Sequence, residues 1–154
     1  MTASLFTPRT IGHARTPFAD KNDVPKGPLA KHVEEGVLEI DPAFAEGLDD
    51  IDGFSHLIVL WFFDKAEGFA LKATPPGSSV ARGVFATRAP HRPNPIAVTV
   101  VELLRREGNR LHVQGLDMAD GTPLLDIKPY LGNVAGEVRL GWIPEFAREQ
   151  QQRG

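Results

Sequence analysis

Phe54–Phe63, FSHLIVLWFF, is the stretch on which the fold turns. Rich in β-branched and aromatic residues and preceded by the turn-forming DDIDG, it predicts a buried strand at the centre of a sheet. Its apolar run, LIVLWFF, is far shorter than the roughly 20 residues that span a bilayer as a helix. Working outward, ARGVFATRA (81–89), AVTVVELLRREG (97–108) and NRLHVQGLDM (109–118) read as further strands. EGNR (107–110) is a hairpin turn. Leu111, Val113 and Gly115 alternate with Arg110, His112 and Gln114, which predicts one wet face. RTIGHART (9–16), GVLEI (36–40) and TPLLDIKPYL (122–131) complete the strand set. Pro42–Leu48 predicts a short helix with Asp41 as N-cap and Pro42 in its first turn. Many short strands, with hardly a helix of ordinary length, argue for a compact antiparallel barrel or sandwich.

The 154 residues fit one domain with a core of its own, and the polar end REQQQRG reads as a frayed tail. At 42% hydrophobic and 24% charged, the composition is that of an ordinary globular protein. The net charge of -3 does not mark a nucleic-acid binder, so any polyanion must be met by a local patch. The absence of cysteine removes disulfides and thiolate chemistry and suits a cytoplasmic setting. The N-terminus carries no basic region followed by an apolar one, so no export signal is expected. No G-x-G-x-x-G joins a strand to a helix and no phosphate-loop or G-x-S-x-G motif occurs, so nucleotide chemistry would need another scaffold.

Chemistry concentrates in a few segments. RAPHRPNPIAV (88–98) is stiffened by three prolines, which fix their own φ and push Ala89, Arg92 and Asn94 toward extended geometry. The result is a preordered arch whose Arg88 and Arg92 suit a carboxylate or phosphate. A strand crossover with prolines guarding its edges is the other reading. In GLDMADGTPLLDIKPY (115–130), Asp120 belongs to a tight turn, whereas Asp117 ends a strand, where its carboxylate can take hydrogen bonds from a diol or an amine. Asp126 and Lys128 share a strand face and read either as a surface ion pair or as site residues. KNDVPKGPLAKH (21–32) is a connection or a ligand-facing loop. His56 is expected in or near the core, and the remaining histidines lack zinc-ligand spacing, so no metal site is expected.

Taken together, DGFSHLIVLWFFD, RGVFATRAPHRPNPIAVTVVEL and LDMADGTPLLDIKPYL resemble, in order, the hallmark blocks of the TsaA-like (TrmO, formerly YaeB) family. With IGHARTPF, the resemblance covers roughly residues 9–131. It implies a non-Rossmann β-barrel with short helices that binds S-adenosylmethionine, works as a homodimer, and methylates N6 of threonylcarbamoyladenosine beside the anticodon of tRNA. Carried over position by position, it implies cofactor contacts at Pro28, Leu29, Ala30, Asp64, Lys65, Arg88, Val98, Gln114, Gly115, Leu116 and Asp117. In that reading Arg82, Arg88 and Arg92, with Phe85, would grip RNA by charge and stacking, and the N6 proton would go to Asp126 or Tyr130, modulated by Lys128, or to the substrate's own carboxylate. Two features depart from the family pattern. Ala97 replaces a glycine, adding a Cβ where positive φ or close approach is expected. Longer bacterial members also carry a C-terminal domain that would help hold tRNA. The alternatives are a small-molecule methyltransferase on the same barrel and a non-catalytic nucleotide- or RNA-binding module.

Overall fold

The computed structural model describes residues 6–153. The expected domain of residues 1–154 thus has its ends, 1–5 and 154, outside the described residues. The elements are β1 (Gly12–Arg15), β2 (Glu35–Ile40), β3 (His56–Phe62), β4 (Lys72–Ala73), β5 (Arg82–Gly83), β6 (Ile96–Glu107), β7 (Arg110–Gln114), β8 (Pro123–Pro129) and α1 (Ile143–Arg153). Six strands close into a barrel in the order β1-β2-β7-β6-β3-β8, while β4 and β5 form a separate two-stranded ribbon.

Strand β3 organises the wall. It pairs antiparallel with β6 on one side and with β8 on the other. Its alternation sends Leu57, Val59 and Trp61 inward and leaves His56, Ile58, Leu60 and Phe62 on the outer face. Leu38, Val101, Leu111, Val113 and Leu124 arrive from the other strands by the same period and fill the interior. The EGNR turn joins β6 to β7 through Gly108 at φ 60°, and the Asn109 side chain donates to the Ile40 carbonyl at 2.6 Å.

The barrel closes through the four-residue strand β1. Gly12 lies opposite Ile40 on β2 and Leu124 on β8, and the Ile11 amide donates to the Leu124 carbonyl at 2.9 Å. A Cβ on Gly12 would collide with the Glu39 carbonyl oxygen and come within 2.9 Å of Ile40 Cα. This glycine lets three strands approach at the seam.

Pro42–Leu48 is helical as expected, though as a 3₁₀ helix, with the Asp41 side chain accepting from the Ala43 amide at 2.9 Å. Two expectations are corrected. ARGVFATRA is not one strand: after β5 the chain turns into a 3₁₀ helix at Val84–Ala86, where the Thr87 hydroxyl donates to the Val84 carbonyl at 2.9 Å. The tail is not frayed: REQQQRG begins inside α1, whose Phe146 is buried. Helix α1 docks on the β3–β6 crossover, with Gln150 and Arg153 donating to the Gly77 carbonyl at 2.9 and 3.2 Å. Trp142 Nε1 donates to the Ala86 carbonyl at 2.9 Å, and the Arg82 guanidinium lies over the Trp142 ring at 5.3 Å.

Candidate functional site

The proline arch and the end of β7 meet at a cleft in the barrel wall. Its larger lobe, about 560 Å³, is bounded by His32, His56, Arg88, Val98, Glu102 and Asp117 among others. A smaller lobe of about 170 Å³ reaches to Trp61, Phe63, Arg92 and Ala97. Arg88, Val98 and Asp117 border both lobes.

The arch is self-supporting. Arg92 donates to the carbonyls of Thr87 and Ala89 at 3.0 and 3.2 Å, so its guanidinium braces the segment as well as bordering the cleft. Arg88 is exposed and free to meet a ligand. Ala97 needs no positive φ, because it sits within β6 opposite Trp61. The methyl group that departs from the family glycine is accommodated in extended backbone.

On the facing wall, Gly115 follows β7 at φ 105°, a conformation that suits glycine and breaks the ladder. Its amide donates to the Glu34 carbonyl at 3.0 Å, which brings the His32–Glu34 segment against the site. The break returns Leu116 to the core, fully buried, and leaves Asp117 on the cleft. Leu116, expected as a cofactor contact, has no exposed surface and borders neither lobe, because the glycine break turns it into the core. Gln114 Nε2 donates to the Val33 carbonyl at 2.9 Å.

Asp117 is held by a directed chain. Indole nitrogen can only donate, so Trp61 Nε1 donates to Thr99 Oγ1 at 2.9 Å, and Thr99 spends its own proton on Asp117 Oδ1. Burial pushes the Asp117 pKa above the ordinary carboxylate range. The Thr99 hydrogen bond, the charge of His32, a backbone amide and Arg88 oppose that rise. His32 Nδ1 is buried without a hydrogen-bond partner among the described residues. A cleft with Asp117 and Arg88 on its walls is suited to a zwitterion, the carboxylate receiving an ammonium and the guanidinium a carboxylate.

The other sequence candidates fall around this cleft. Pro28, Leu29 and Ala30 belong to the loop that leads into His32, while Asp64 and Lys65 follow Phe63 and are exposed. None of these five borders either lobe. Arg82 lies apart, engaged with Trp142. Asp126 and Lys128 form an ion pair at 2.8 Å on the outer face of β8, and Asp126 Oδ1 also accepts from the Ile127 amide at 2.9 Å. Tyr130 sits with its ring edge-on to His56, centroids 6.5 Å apart.

Sequence reading missed His32, Thr99, Val100 and Glu102, all of which border the cleft. The alternation Val98, Val100, Glu102 continuing out of the arch was the available signal, since it puts the three on one face. His56 is corrected as well: it is half-buried on the outer face of β3 opposite Glu102, and its Nδ1 is hydrogen-bonded to Ser55 Oγ at 2.9 Å.

The family model of the tRNA-methyltransferase O N-terminal domain matches residues 13–135. A "Probable S-adenosyl-L-methionine-binding protein" of Archaeoglobus fulgidus is 47% identical over 140 residues, covering 89% of this chain and 38% of that protein. The human "tRNA (adenine(37)-N6)-methyltransferase" is 36% identical over 137 residues, covering 84% of this chain and 31% of its own length. The crystal structure of TrmO from Pseudomonas aeruginosa superposes with a TM-score of 0.71 at 37% identity, over 90% of this chain and 62% of that one. The chain thus spans less than two thirds of each of these three.

Proposed function

The chain belongs to the tRNA-methyltransferase O N-terminal domain family, and from that membership we propose that it is an S-adenosylmethionine-dependent tRNA methyltransferase. Its proposed target is N6 of the adenosine beside the anticodon, in the threonylcarbamoyl form, and its proposed setting is the cytoplasm. The observation that carries the reading is the pairing of Arg88 with Asp117 on one cleft. The methionine end of the cofactor presents an ammonium and a carboxylate, which these two side chains complement. A volume of about 560 Å³ is in the range of small-molecule sites. The orphaned His32 Nδ1 is a polar atom for a ligand to satisfy.

When bound, the cofactor supplies an electrophilic methyl group on its sulfonium. The chain's part is to hold both reactants in line and to accept a proton. Asp117 would hold the ammonium or the ribose hydroxyls and Arg88 the carboxylate, with Val98 and the backbone of Gly115 at the adenine edge. Pro28, Leu29, Ala30, Asp64 and Lys65 flank the site. An N6 that gained a methyl group would carry one proton in excess, which a base must take up. Asp126 is already engaged by Lys128 and by an amide, which weakens it as a base. His56 borders the cleft, with the Tyr130 ring beside it, and is better placed to accept that proton.

Incubation with labelled S-adenosylmethionine and total tRNA, followed by digestion to nucleosides, is expected to give labelled N6-methylated adenosine. Arg88→Ala is expected to weaken cofactor binding by about tenfold, the order of one charge-assisted hydrogen bond. Transfer only to small acceptors would turn the reading to a small-molecule methyltransferase. Failure to bind the cofactor would turn it to a non-catalytic module.

A homodimer forms part of the same proposal. Ile96, Val98 and Val100 are exposed on β6, and Leu131, Val134, Val138 and Leu140 are exposed between β8 and α1. These are side chains that a second copy would cover. Because Val98 and Val100 also border the cleft, a second copy seated there would wall it. Light scattering is expected to give twice the chain mass, and a single-chain mass at micromolar concentration would contradict this.

A further inference from the structure

We infer that the β3–β6 crossover, residues 64–95, is a preorganised platform for single-stranded RNA, with Phe69 and Phe85 as its stacking surfaces and Lys72 as a phosphate contact. The inference rests on the tRNA reading above and assigns that substrate a surface. The crossover carries Lys65, Lys72, Arg82, Arg88 and Arg92 against Asp64 and Glu67, a net charge of +3 in a chain whose net charge is -3. The segment thus carries an excess of positive charge, and the remainder of the chain carries -6.

Two large aromatics stand exposed on this basic segment. Phe85 exposes 78% of its surface and Phe69 62%. Both adjoin the site: Phe85 precedes Arg88 by three residues, and the amide of Ala70, next to Phe69, donates to the His91 carbonyl in the arch at 3.3 Å. They also adjoin each other's strands, since Lys72 pairs with Gly83 and the Val84 amide donates to the Leu71 carbonyl at 2.9 Å. Unstacked bases pack on aromatic faces with little regard for sequence, while lysines and arginines follow the phosphates. An RNA meets both the charge and the aromatics, and it is the polyanion that the tRNA reading supplies.

The backbone of the platform is also braced, so less backbone freedom is lost on binding. Helix α1 grips it from behind at Gly77 and Ala86. Arg82 is engaged in that grip, lying over Trp142. The RNA role assigned to Arg82 by resemblance thus passes to Lys72 on the neighbouring strand.

The test is tRNA binding to the full chain across a salt titration, with cofactor affinity, thermal midpoint and mass measured in parallel. Phe85→Ala and Phe69→Ala are each expected to weaken tRNA binding at least about fivefold, the scale of one lost base stack. Phe85→Tyr should restore it. Lys72→Ala is expected to flatten the salt slope by about 0.7, one single-strand phosphate. All three leave cofactor affinity and thermal midpoint unchanged. If the parent chain methylates tRNA while the variants bind and respond to salt as it does, the platform is overturned and the functional reading stands. A parent chain that binds cofactor but no tRNA overturns both. A double Phe69, Phe85 variant that changes only the mass makes the surface a contact between copies and overturns the inference.

Discussion

Asp117→Ala is expected to weaken S-adenosylmethionine binding by about tenfold to a hundredfold in a calorimetric titration, the range of one to two charge-assisted hydrogen bonds. The loss has two parts: the cofactor's ammonium loses its counter-charge, and the Trp61–Thr99 chain loses its final acceptor. Asp117→Asn separates them, because the amide oxygen still accepts from Thr99 while the charge is gone. Burial raises the Asp117 pKa, so its carboxylate begins to protonate above the ordinary carboxylate range as pH falls. Cofactor affinity should therefore decline as pH falls, earlier than an unshifted aspartate would make it, and the decline should be absent in Asp117→Asn. The sign for stability is opposite. With a folded pKa above the unfolded one, this group's contribution is present below the unfolded pKa and is lost as pH rises through the folded one. Asp117→Asn is thus expected to melt higher than the parent at neutral pH while binding worse, the pattern of a residue kept for its ligand. A variant that melts lower, or binds equally well, would refute the assignment.

Gly12→Ala is the change expected to harm the fold most for the fewest atoms. The added Cβ would overlap the Glu39 carbonyl and crowd Ile40 Cα, both backbone, so no side-chain rotation relieves it. Overpacking of this kind costs about 1–3 kcal/mol, and rigid backbone on the receiving side favours the upper end. For a chain of this size that is a fall of roughly 2–4 °C in melting temperature per kcal/mol. Because Gly12 faces β2 and β8 at once, the damage lands on the closing seam. Hydrogen exchange should show Ile11 and Ala14, whose amides bond Leu124 and Thr122 across the seam, losing protection before the β3–β6 pair does. A melting point within one degree of the parent would show that the seam has slack.

What could be read in advance follows from which forces are local. Strands β1, β2, β3, β6, β7 and β8 announce themselves because alternation and β-branching are written residue by residue, as in the inward Leu57, Val59 and Trp61. ARGVFATRA carries the same vocabulary, yet the Thr87 side chain closes a turn on Val84 that no alternation shows. The segment 143–153 has few apolar residues, so its helix depends on docking Phe146 and Trp142 against a loop far back in the sequence. The spacing of Trp142, Phe146 and Gln150 was the trace it left. In the site, Asp117 and Arg88 stood out by chemistry. Thr99 did not, because nothing in VTVV tells that its hydroxyl will be caught between an indole and a carboxylate.

The grip of α1 on the crossover is distinct from the closure of the barrel. Every barrel strand is encoded before residue 130, and the seam between β1 and β8 can form once Pro129 is in place. The Trp142 to Ala86 bond spans 56 positions and the Gln150 to Gly77 bond spans 73. The pairing of the barrel strands thus does not draw on α1, whereas the bracing of the crossover that carries Arg88 does.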